Sequence, residues 1–192
     1  MNAGTRVKSI LLDPAAAWRL IEKEVGDPAY LLSRYVALLA LIPALSGFVG
    51  ATLIGSIAPS GVIVRVDIVD GLLGAIFSYA TSCAMALLLG LLINLLAPTF
   101  GGRRDFENAF KLAVYSFTPL WIAGIFLLLP GLRFLLLTGA YGIYLLWLGV
   151  PRLTKVPEQQ AVNFTVVIVV CAYGLLYAAA LAQRILFGTP GL

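Results

Sequence analysis

The chain has 192 residues, 61% of them hydrophobic and 11% charged, with a mean hydropathy of +1.00 and a formal net charge of +4. A soluble domain carries about 25% charged residues, so an ordinary water-soluble enzyme is excluded. Histidine is absent and there are only two cysteines, which removes the raw material for His-based metal centres, Ser-His-Asp and Cys-His triads and a disulfide framework.

The first 34 residues carry nine charges, so segment 1–34 is neither a cleaved signal peptide nor a spanning helix and is expected on the cytoplasmic side. Within it, Asp13-Pro14 reads as an N-cap followed by proline at the first helical position, opening the helix AAAWRLIEKEV, which Gly26-Asp27-Pro28 then stops. Trp18, Ile21 and Val25 share one face, with Arg19, Glu22 and Lys23 turned away. That pattern predicts a short amphipathic helix in the headgroup plane, with Trp18 as a possible partner or lipid contact.

Five windows then carry no charge at all: 35–64, 71–102, 112–132, 134–151 and 159–183, together 126 residues. A spanning helix needs about 20 apolar residues, because hydrocarbon offers backbone amides and carbonyls no water. The windows are apolar on every side, whereas barrel strands would alternate apolar and polar residues. Spans are placed near Tyr35–Gly55, Gly71–Leu96, Phe110–Leu129, Leu132–Val150 and Val162–Ala182. The fold class is therefore an all-α membrane protein, with five transmembrane helices preceded by a short cytoplasmic amphipathic helix. The domain plan is a cytoplasmic segment 1–34, a five-span membrane domain 35–186 and a short external tail 187–192. Pro130-Gly131 is the whole connection between the third and fourth spans, which makes them antiparallel neighbours.

Orientation follows from basic residues on alternate sides, since cytoplasmic flanks carry the excess. With the N-terminus inside, ten fall on the cytoplasmic side: Arg6, Lys8, Arg19, Lys23, Arg34, Arg103, Arg104, Lys111, Arg152 and Lys155. Only Arg65, Arg133 and Arg184 fall outside. The positive charge thus reflects topology and anionic headgroups, and nucleic acid is not an expected partner.

Small residues recur every four positions along the second span, at Gly74, Ser78, Ser82, Ala86 and Gly90, with Asn94 next. Similar stripes run through Gly47, Ala51 and Gly55 in the first span and Gly174, Ala178 and Ala182 in the fifth. Helix association in lipid depends on close packing and interhelical hydrogen bonds, so these are packing faces, read first as intramolecular and second as an oligomer interface. Asn94 is the most polar side chain inside a span and is expected to bond a neighbouring helix or the Ala97-Pro98 turn. Pro43 and Pro119 kink their helices, and Ser116 and Thr118 are placed to cap the gap at Pro119. Tyr115, Tyr141, Tyr144 and Trp147 are expected to gather near the ends of the third and fourth spans. In the cytoplasmic loop FGGRRDFENAF, Arg103 and Arg104 could grip lipid phosphates or a protein partner. No mid-span ionisable residue is present to relay protons, and nothing supplies a nucleophile and base. No catalytic, cofactor or metal site is expected.

FKLAVYSFTPLWIAGIF, the Leu-Pro hairpin after it, and YGIYLLWLGVPRLTKVP resemble the Yip family, the Ypt-interacting membrane proteins with the Yip-one domain, in its bacterial branch. The opening LLDPAAAWRLIEKE is similar to the proline-led helix of that branch, so the resemblance covers nearly the whole chain. It implies five spans with a cytoplasmic N-terminus. Eukaryotic relatives form hetero-oligomers and bind Rab-type GTPases, but this chain lacks their long acidic and aromatic N-terminal region, which makes a small GTPase a doubtful partner. The expected function is a non-enzymatic adaptor or membrane-organising scaffold of the bacterial inner membrane, working by helix contacts in the lipid bilayer with itself or another membrane protein. The alternative is a small transporter or lipid-moving protein with a weakly polar path past Ser78, Ser82, Asn94 and Pro119.

Overall fold

A computed structural model describes residues 3–57 and 62–187, the last by its backbone alone. Five helices are long and apolar enough to cross a membrane: Pro28–Ile54, Ile68–Phe100, Phe106–Leu128, Pro130–Leu153 and Glu158–Leu186. The predicted tail falls largely outside the described residues. The first span begins earlier than the charge-free window, because Asp27 caps its amino end, accepting from the Ala29 amide, with Pro28 in the first turn. The Gly26-Asp27-Pro28 signal that stops one helix therefore also starts the next.

The third span is the axis of the bundle. It packs against the first, second and fourth spans, while the fifth lies against the second and fourth. The fourth span is not α-helical throughout: Pro130–Ala140 is a 3₁₀ stretch, and only Tyr141–Leu153 is α-helical. A 3₁₀ helix rises about 2.0 Å per residue against 1.5 Å, so eleven residues cover roughly 22 Å. Leu129 leaves the third span in an extended conformation, and the Leu132 amide bonds back to its carbonyl at 2.8 Å. The chain thus reverses at Pro130-Gly131 as expected. The first span ends at Gly55, whose φ of 81° suits glycine, and a short antiparallel hairpin follows, β1 (Ser56–Ile57) with β2 (Ile63–Val64).

The amino-terminal segment differs most from expectation. It forms two helices, α1 (Ala3–Leu12) and α2 (Pro14–Lys23), hinged at Asp13, whose carboxylate accepts from the Ala16 amide. The pair is docked on the membrane helices. α1 and α2 pack on each other, α2 on the α-helical half of the fourth span, and α1 on the third. Trp18 and Ile21 are fully buried, while Val25, past the helix end, is 96% exposed. A Cβ on Gly149 would sit 2.8 Å from the Trp18 ring, so the missing side chain leaves the slot that admits the indole. Trp18 is a core residue, which corrects its reading as a lipid or partner contact.

Candidate functional site

Seating α1 and α2 against the spans brings together charged side chains that lie far apart in sequence. Arg6 is 4% exposed and paired with Glu24, and its guanidinium lies over the Tyr115 ring, 5.5 Å from the centroid. Lys111, also 4% exposed, donates to the Glu24 carbonyl at 2.8 Å and to Glu107 Oε1 at 3.2 Å. It thereby sits at the carboxyl end of α2, where a cation complements the unpaired carbonyls. Glu107 also accepts from the Gly26 amide, tying the second hinge of the chain to the third span. Below this network the Tyr35 hydroxyl meets Thr118 Oγ1 at 2.9 Å, and the Tyr35 and Tyr115 rings meet edge to face at 5.2 Å.

Arg6, Glu24, Lys111, Tyr35 and Tyr115 line a cavity of about 530 Å³, together with Tyr30 and Arg34. Its surface is nearly as polar as it is apolar. Lys111 and Glu24 are engaged, whereas Arg6 Nη1 is buried with no partner. A buried guanidinium donor left unpaired is costly, so the arrangement suits reception of an anionic group. The sequence reading counted Arg6, Arg34 and Lys111 only as flanking charge. The signal that could have found one pair is Glu107 with Lys111, four residues apart at the start of a span.

The residues singled out from sequence do not form one site. The second-span stripe spirals, because four residues overshoot a 3.6-residue turn by about 40° each step. Gly74 lies near Gln183 of the fifth span, which donates to its carbonyl at 3.4 Å, whereas Ser82 accepts from Trp121 Nε1 of the third at 2.8 Å. Gly90 faces Phe110, whose ring a Cβ there would approach to 2.9 Å. Ser78 is half-buried on the same spiral, and Asn94 Oδ1 is buried without the partner expected of it.

Thr118 does not cap the gap at Pro119; it bonds Tyr35 and, at 3.4 Å, the Val114 carbonyl, while Ser116 Oγ is buried and unpartnered. Nor does Tyr115 join the other aromatics. Tyr141, Tyr144 and Trp147 meet in tilted ring contacts along the fourth span, and the Tyr141 hydroxyl donates to the Leu11 carbonyl at 3.2 Å. Arg103 and Arg104 are exposed, the Arg103 amide holding the loop to the Thr154 carbonyl at 2.9 Å.

The family model of the Yip1 domain matches residues 8–181. Inner membrane protein YohC, from two strains of Escherichia coli, is 26% identical over 165 residues, which covers 84% of this chain and 85% of that protein. No solved structure matches.

Proposed function

The chain belongs to the Yip1 domain family of integral membrane proteins, and from that premise we propose a non-enzymatic adaptor or membrane-organising scaffold of the bacterial inner membrane that acts through helix contacts. Its N-terminus is cytoplasmic and its C-terminus external, a reading supported by the ten-to-three division of basic residues. In that orientation the Arg6–Lys111 cavity opens at the cytoplasmic rim, where a partner's anionic group would be received.

The observation that carries the adaptor reading is the contrast between the small-residue stripes. Those of the first and second spans have neighbours from within the chain: a Cβ at Gly47 would meet Leu127 at 3.9 Å, one at Gly74 would meet Gln183 at 3.6 Å, and one at Gly90 would meet Phe110 at 2.9 Å. On the fifth span a Cβ at Gly174 would meet nothing within 4 Å, and Tyr173 and Tyr177 beside it are exposed. Two helices approach closely where small residues line the contact, and this face has no helix of its own chain upon it.

Tagged full-length protein, extracted from its native membrane into lipid nanodiscs, is expected to show the mass of a defined homo-oligomer or of a stoichiometric complex with another membrane protein. Gly174→Leu should reduce it to a monomer without lowering its melting temperature. A wild-type monomer holding lipid alone overturns the reading. The alternative, a lipid-moving protein, draws support from a lipid-sized groove that Ser78, Ser82, Asn94 and Pro119 do not line, Ser82 being bonded to Trp121 of the third span.

A further inference from the structure

A second cavity of about 450 Å³ separates the fifth span from the third and fourth. Its walls are Phe117 and Leu120 of the third span, Leu137 and Ile143 of the fourth, and Val169 and Ala172 of the fifth. The lining is overwhelmingly apolar, and the volume lies in the range of about 300–1,000 Å³ usual for small-ligand sites. Three polar side chains interrupt it, Ser116, Arg133 and the largely exposed Tyr173. Ser116, 7% exposed, faces the groove with Oγ unbonded, and Arg133 lines it with a buried Nε that has no partner. Arg133 forms no ion pair among the described residues.

We propose that this groove binds a phospholipid, taking one acyl chain between the third, fourth and fifth spans and holding the phosphate diester on Arg133. The occupant follows from charge and depth. Arg133 is two residues past the Pro130-Gly131 turn, which the division of basic residues puts at headgroup level on the side opposite the ten cytoplasmic ones. The Arg133 Nε is buried at the groove without a protein partner while the rest of the side chain is partly exposed, so a ligand seated there would supply the acceptor that the protein does not. Phosphate oxygens match its planar fork in two parallel bonds, and the pair gains strength away from water. Below the phosphate the walls offer a chain mainly hydrocarbon and, at the inner end, the Ser116 hydroxyl. The site is separate from the Arg6–Lys111 cavity, and its occupancy does not rest on the adaptor reading.

The test uses the full chain in nanodiscs of mixed phosphatidylethanolamine and phosphatidylglycerol, released into native mass spectrometry to count retained phospholipid. The wild type is expected to keep one molecule. Ala172→Phe, which fills the groove from the fifth span, and Arg133→Gln, which removes the charge, should each cut retention at least tenfold while the melting temperature and helical signal are kept. Diacylglycerol, with the chains but not the phosphate, should fail to displace the bound molecule. Retention unchanged in both variants overturns the site. Loss in Ala172→Phe alone, or displacement by diacylglycerol, overturns the phosphate's role. Gly174→Leu, which addresses assembly, should leave lipid retention unchanged, so the two readings fail separately.

Discussion

The third and fifth spans reverse the rule that the more apolar helix is the more buried. The fifth has the higher mean hydropathy, 2.3 against 1.6, yet 17% of its most apolar window is buried against 61% for the third. In water that ordering would be perverse, but lipid tails are as apolar as leucine and draw nothing apolar inward. What goes inside is the helix whose side chains need partners. The third span carries Lys111, Tyr115, Thr118 and Trp121, each with a hydrogen bond or ring contact to another element. The fifth presents Val166, Val170, Tyr173 and Tyr177 outward. Hydropathy therefore identifies a crossing helix, and its polar content identifies the central one.

Removing what packs on the third span should break that contrast most severely. Trp18 is fully buried against Tyr115, with ring centroids 6.2 Å apart. Trp18→Ala is expected to cost about 3–5 kcal/mol, the usual range for emptying a buried tryptophan site. The indole Nε1 has no partner, so the loss is one of packing and not of a hydrogen bond. Thermal unfolding in detergent should show a lowered midpoint and early proteolysis near Asp13. An unchanged midpoint would mean that α1 and α2 are no part of the folded unit.

A smaller effect is expected where the second span meets the third. At Gly90 a Cβ would lie 3.1 Å from the Phe110 Cα, a backbone atom that cannot swing aside. Gly90→Leu must push the two helices apart and should destabilise by about 1–3 kcal/mol, the ordinary cost of overpacking. The same change at Gly174 should leave the midpoint alone. Equal losses at both positions would erase the distinction between a used and an open stripe.

The spans were legible because an uninterrupted run such as 71–102 has few physical solutions in a bilayer. The Asp13 cap was legible as well, being local chemistry, whereas Gly26-Asp27-Pro28 reads as a stop and only the structure shows Asp27 capping the next helix. Trp18 misled because its spacing with Ile21 marks an apolar face without saying what covers it, and the cover is a slot created by an absence, Gly149, 131 residues away. The Arg6–Glu24–Lys111 cluster was illegible for a related reason. Each charge, taken alone, looks like a solvated flank, and only the docking of α2 turns two of them inward. The stripe on the second span was visible but addresses two neighbours in place of one, a consequence of its 40° drift.

The finest test concerns the place where α2 meets the turn that leads into the fifth span. Lys155, with a φ of 58°, stands between the fourth and fifth spans and bonds Glu22. That hydrogen bond, opposed by slight burial and helped by the charges of Lys155, Arg152 and Lys23, holds the Glu22 carboxyl below its ordinary value of 4.5. A depressed folded-state value means the stabilisation is present above 4.5 and is lost as pH falls through the lower, folded-state value. Glu22 and Lys155 are 34% and 51% exposed, so solvent screens the pair and the gain is roughly 0.2–1 kcal/mol. Glu22→Gln should therefore melt slightly earlier than the wild type at neutral pH, and the two curves should converge as the medium is acidified below the ordinary carboxyl range or as salt is raised. Because the pair joins α2 to the start of the fifth span, convergence should leave Trp18 fluorescence untouched. A shift in that fluorescence on acidification would show instead that the fifth span helps hold α1 and α2 on the third.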